Sequence, residues 1–207
     1  MLARLLAAEG LDTTTGTGRP ILARATTTAP VTYAQEVLWL FDRASPGCSA
    51  YNVVMAHRVR GGLDLKAFSA ALTSLTERHE ALRTVFHADG DAVSAVLLPP
   101  APAAFAFEDV SGRPDAERER AAVAALERHA DRPFDLAAAP PFRAVVIRLN
   151  DADHMLMLAA HHIVTDAQSN AILFGDLCAL YAAACDGVPA PLPALPLQFG
   201  DFAAWQR

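Results

Sequence analysis

The stretch His154-Met-Leu-Met-Leu-Ala-Ala-His-His-Ile-Val-Thr-Asp-Ala-Gln-Ser169 decides the fold. Met155 to Ala160 carry no charge, as a strand buried on both faces requires. Two histidines follow, and then a Thr-Asp step opens a segment with Ile172, Leu173, Leu177, Leu180 and Tyr181 at helical spacing. Asp166 stands where a helix N-cap belongs. The order is therefore strand, paired histidines, acid, helix. Successive side chains at a strand end point to opposite faces, so His161 and His162 cannot share one ligand or one proton. One imidazole should face a cavity and the other pack inside. The spacing from His162 to Asp166 lets the carboxylate fold back under the turn, where it could orient an imidazole or meet an arginine from elsewhere.

Working outward, Asn150-Asp-Ala-Asp153 joins this strand to Ala144-Val-Val-Ile-Arg-Leu149 as a hairpin. Upstream, Asp115 to Ala130 reads as a helix whose Glu117, Arg118, Glu119, Arg120, Glu127 and Arg128 form a solvated face. A short strand is expected over Ala104 to Glu108. Leu82, Val85 and Phe86 should begin a strand that turns at Asp89-Gly90-Asp91 and returns through Ala92 to Leu98. Leu65, Phe68, Leu72 and Leu75 give a helical stripe, and Tyr51 to Val59 alternates as a strand. Thr32 caps a short helix with Val37, Leu38 and Phe41 on one apolar face, and Tyr33, Gln35 and Trp39 as packing residues. Residues 1–30 read as a short Leu/Ala helix followed by a linker or wrapped arm. Phe202 and Trp205 begin an amphipathic pattern with nothing after it, so the chain looks truncated there, and Met1 suggests a first domain of its polypeptide or an expression product.

Composition narrows the function. At 207 residues, 53% of them hydrophobic, the chain is long enough for one core. A net charge of −6 and no Lys/Arg cluster argue against a nucleic-acid surface. No apolar run is long enough for a bilayer, and Glu9 interrupts the N-terminal one, which is too short for a secretory signal. Cys48, Cys178 and Cys185 are an odd number without metal spacing, with Cys178 near the apolar side of its helix; reduced thiols in a cytoplasmic protein account for them. There is no H-E-x-x-H, no paired C-x-x-C and no Gly-rich phosphate loop, so no metal and no permanently bound cofactor are expected.

Three ordered blocks carry a resemblance. Thr32-Tyr-Ala-Gln-Glu-Val-Leu-Trp-Leu40 is similar to S-x-A-Q-x-R-L-W-x-L, Arg78-His-Glu-Ala-Leu-Arg-Thr-Val-Phe86 to R-H-E-x-L-R-T-x-F, and His161-His-Ile-Val-Thr-Asp-Ala167 to H-H-x-x-x-D-G. Together they resemble the N-terminal lobe of a nonribosomal peptide synthetase condensation domain, of the chloramphenicol acetyltransferase-like superfamily. The resemblance implies an α/β (α+β, two-layer) fold, with a mixed, largely antiparallel sheet flanked by helices. Residues 1–30 would be the helix and linker and residues 31–207 the lobe, without the C-terminal lobe that completes the reaction channel. Departures are Ala167 for the motif glycine and Val37 for the usual arginine.

By the same resemblance, the reaction is attack of an aminoacyl thioester's α-amine on an acyl or peptidyl thioester. Both would be tethered by 4'-phosphopantetheine to donor and acceptor carrier proteins. His162 matches the base or amine-positioning residue. His161, Asp166, Arg78 and Arg83 match supporting residues, one of the two arginines pairing Asp166, with Arg143 as the local rival. Ala167 and Ser169 would line the substrate channel. His57, His79, His87, His129 and His154 read as structural or solvent-facing. A relative forming esters, or a non-catalytic carrier-docking or partner-recruiting module, are the other readings; the isolated lobe should show little turnover alone.

Overall fold

A computed structural model describes residues 20–90 and 92–207. Four strands form the central sheet, in the order β2 (Asn52–Arg60), β7 (Asp153–His161), β6 (Phe142–Asn150), β5 (Phe105–Asp109). Only β5 and β6 run parallel; β2–β7 and β6–β7 are antiparallel. Every residue of β7 is buried, because the strand has a neighbour on each edge and helices on each face. Leu156 and Leu158 turn to one face, with Ala144 and Val146, and pack against Phe68, Leu72 and Leu75 of α2 (Leu65–Arg78) and Leu173 and Leu177 of α4 (Ala167–Asp186). Met155, Met157 and Ala159 turn to the other, against Ala122 and Ala125 of α3 (Asp115–Ala130). The alanines let α3 lie close to the sheet while its charged residues stay outside. Helices thus cover both faces of a mixed, largely antiparallel sheet, the α/β arrangement expected from the sequence.

A smaller antiparallel sheet, β1 (Thr28–Pro30), β4 (Ala92–Leu97), β3 (Thr84–Asp89), lies beside α1 (Tyr33–Ala44) and α5 (Phe199–Gln206). Residues 20–30, the described part of the expected linker or wrapped arm, lie against the lobe. Thr28–Pro30 pairs with Ser94–Val96, and Arg24 binds Asp201 at 2.9 Å and also Glu80. The helix expected near Met1 lies outside the described residues. Leu82, expected to open a strand, sits instead in a 3-10 turn, Glu80–Arg83, that precedes β3.

The apolar face expected of α1 is also corrected. Its buried residues are Gln35 and Trp39, whereas Val37 is 65% exposed and Phe41 and Tyr33 are exposed too. Gln35 is buried because it is hydrogen-bonded, not because it is apolar. Its backbone N–H donates to the Thr32 hydroxyl at 3.1 Å and its Oε1 accepts the Thr32 N–H at 3.0 Å, a capping box. Cys178 is exposed on α4, contrary to its expected apolar setting.

Candidate functional site

The end of β7 delivers the two histidines to different places. His161 is 2% exposed, and its Nδ1 accepts the Ile163 N–H at 3.1 Å. Burial, then the neighbouring His162, pushes its pKa down to about 4, so the ring is neutral and carries its proton on Nε2. His162 is exposed, and its Nδ1 lies 2.6 Å from the Thr165 carbonyl oxygen. A carbonyl can only accept, so Nδ1 holds the proton and the Nε2 lone pair is left free.

Several contacts fix the turn that carries this ring. The His162 N–H donates to the Tyr51 carbonyl at 2.8 Å and the Val164 N–H to the His161 carbonyl at 3.0 Å. Gln35 Nε2 reaches across from α1 to the Ile163 carbonyl at 3.0 Å. Gln35 is thus more than a packing residue: it ties the opening helix to the histidine turn. The Thr165 hydroxyl donates to Asn170 Oδ1 at 2.6 Å, closing the turn against α4.

His162 opens on a groove of about 740 Å³, within the range of small-molecule sites. Its walls are Val37 and Leu38 of α1, the turn from His162 to Asp166, Ser169 and Ile172 of α4, and Leu195, Leu197 and Phe199 before and within α5. Among the described residues no lysine or arginine lines it. Among the described residues no cluster of three or more His, Cys, Asp or Glu could hold a metal, and no helix is long and apolar enough to cross a membrane.

The remaining residues singled out from the sequence fall as follows. Asp166 is exposed, in extended conformation, and caps α4 by accepting the Ser169 N–H at 2.7 Å. That hydrogen bond holds its carboxyl below the usual carboxylate range. The expected arginine clamp is not made. Arg78 Nε donates instead to Asp176 at 2.8 Å, Arg83 serves the Thr76 and Leu98 carbonyls, and Arg143 the His129 and Pro133 carbonyls while stacking on Phe134. The reason is that Asp166 points into solvent, where a backbone N–H satisfies it, while Asp176 is partly enclosed and needs the cation. Ser169 lines the groove; Ala167 is exposed and does not, so its methyl group has open space. Asp176 went unnoticed in the sequence, although a lone acid between Asp166 and Asp186 on an apolar helix was the available signal.

The sequence profile of the family described as the condensation domain matches residues 25–207. The chain is 40% identical, over its whole length, to phosphinothricin tripeptide synthetase PhsB of Streptomyces viridochromogenes, of which it spans 18%. The X-domain of teicoplanin biosynthesis, solved in complex with OxyB, superposes with a TM-score of 0.80 at 31% identity, covering 92% of this chain and 41% of that one. The first condensation domain of the calcium-dependent antibiotic synthetase, solved with a substrate analogue, gives 0.74 at 26% identity, covering 82% and 41%. The chain thus spans less than a fifth of its curated relative and under half of these solved chains. With a family model matched from residue 25 to residue 207 and a relative 40% identical over the whole chain, the chain belongs to the condensation domain family.

Proposed function

We propose that this chain is the N-terminal lobe of a domain that joins a carrier-tethered acyl or peptidyl donor to a carrier-tethered aminoacyl acceptor. The observation that supports it is the free Nε2 of His162 at an open groove, fixed by the Thr165 carbonyl. An α-amine has a pKa near ~8, so it needs positioning and the removal of one proton more than strong activation. The amine attacks the donor thioester carbonyl, and Nε2 of His162 takes the proton that the nitrogen sheds. Collapse of the tetrahedral intermediate breaks the C–S bond, and the departing pantetheine thiolate receives that proton. Phosphopantetheine is then a substrate tether and not a resident cofactor. The donor and acceptor carrier proteins, and a C-terminal lobe closing the groove, are the partners, in the cytoplasm. His161 and Asp166 act by holding the turn and the helix start, and Ser169 lines the passage. Arg78 and Arg83 brace the segment before β3.

The test is His162→Ala in the chain joined to its C-terminal lobe, supplied with loaded carriers. A loss of roughly 10²- to 10⁴-fold in product with the fold intact is expected; undiminished turnover sinks the proposal. Mass spectrometry of the product separates amide from ester formation. A second reading, a partner-recruiting module without chemistry, draws on the likeness to an X-domain solved with another protein bound. It predicts partner binding with no condensation when both lobes are present.

A further inference from the structure

His79 was read from the sequence as structural or solvent-facing, but it lines the same groove as His162. It follows the last residue of α2, and its Nε2 lies 2.7 Å from Asp176 Oδ2 on α4. A carboxylate accepts, so Nε2–H donates and the lone pair of the ring falls on Nδ1. Asp176 does not need His79 to balance its charge. Arg78 donates to the same oxygen at 2.8 Å and is itself anchored by the Pro193 carbonyl at 2.7 Å. The imidazole is therefore additional to the ion pair, and the carboxylate fixes its tautomer and orientation as second-layer acids do for working histidines. Among the described residues the groove around it contains Asp166 and two imidazoles and no lysine or arginine side chain. A ligand group suited to this lining is an N–H donor carrying positive charge.

We infer that His79, oriented by Asp176, binds the α-amino group of the acceptor in the groove. This rests on the condensation reading and gives it a residue that meets the nucleophile as well as one that takes its proton. Neutral Nδ1 accepts a hydrogen bond from the ammonium or amine N–H, and the carboxylate behind the ring strengthens that acceptor.

The experiment is an NMR titration of the 207-residue chain, with imidazole nitrogens labelled. The probe is alanyl-aminopantetheine, the stable amide analogue of an aminoacyl pantetheine thioester, with its N-acetyl derivative as control. The expected result is a saturable shift of His79 Nδ1 with the free-amine probe and none with the acetylated one. His79→Phe, checked for fold by its amide spectrum, should weaken binding about tenfold, as loss of one charge-assisted hydrogen bond does. The wild-type titration alone decides if that variant misfolds. Movement of His162 without His79, or equal affinity in a folded His79→Phe, overturns the inference and leaves the groove reading standing. If neither ring responds to the probe, both fall.

Discussion

Replacing Asp166 separates two accounts of the motif acid, a helix cap and an arginine-paired brace. The structure gives it one strong partner, the Ser169 N–H at 2.7 Å, while its carbonyl starts α4 by accepting from Asn170 at 3.0 Å. Asp166→Ala removes one cap and leaves the helix otherwise held by Leu173 and Leu177 in the core. The cost should be a cap's, about 1 kcal/mol within a range of roughly 0.5–2. For a domain of this size, that lowers Tm by about 2–4 °C. Asp166→Asn keeps an accepting oxygen and loses only the charge near the helix N-terminus, so it should cost about 0.3–1 kcal/mol. A buried acid clamped by arginine would behave otherwise, losing roughly 3–5 kcal/mol on breaking the pair. Urea unfolding at neutral pH reads the difference. Because the folded carboxyl is held below its unfolded range by the Ser169 hydrogen bond, its contribution is complete above about pH 4 and fades as pH falls through the folded pKa. An Asn variant costing as much as Ala, or either exceeding about 3 kcal/mol, would refute the capping account.

Two further outcomes follow from the same turn. His161 binds its proton at about 4 when folded and near 6.5 when unfolded, so the unfolded chain binds more protons in between and stability must fall on acidification through that window. The loss approaches about 3 kcal/mol by pH 4, and His161→Asn, which can still accept the Ile163 N–H, should flatten the slope in pH-dependent unfolding; an unchanged slope would count against it. Gln35→Leu leaves the Ile163 carbonyl and the Thr32 N–H without their partner, at a cost of about 1–3 kcal/mol. Hydrogen exchange should show faster opening in the turn from His162 to Thr165 than in β7, and equal protection would argue that Gln35 does not hold that turn.

Much of the fold was legible because burial follows period. The uncharged run of β7 and the stripe of α2 each met the neighbours that the pattern demanded, and the helix from Asp115 to Ala130 has those same limits in the structure. The α1 pattern misled because Val37 is apolar for the groove and not for the core, while Leu38 serves both. Periodicity reports that a side chain avoids water, without saying whether protein or a ligand covers it. Local contacts of the site were legible for a similar reason: the cap at Asp166 spans three residues and needs no tertiary knowledge. The arginine partner was not, since Arg78 had two acids to choose from across the fold. The choice fell on burial, which spacing does not encode. Asp176, partly enclosed against α2, gains far more from a guanidinium than Asp166 does in water.

The chemistry of the paired histidines comes from the backbone that follows them. Both rings are attached to one strand end, yet the turn offers His161 an N–H at Ile163 and His162 a C=O at Thr165. A donor beside Nδ1 makes the first ring an acceptor there and sends its proton to Nε2, inside the protein. An acceptor beside Nδ1 does the reverse for the second ring and leaves the lone pair on Nε2 at the groove. Two chemically identical side chains are thereby set to opposite tautomers by hydrogen bonds two and three residues downstream. A change of turn length between His162 and Asp166 would move both partners at once. It would cost His162 its orientation even if every side chain in the motif were retained.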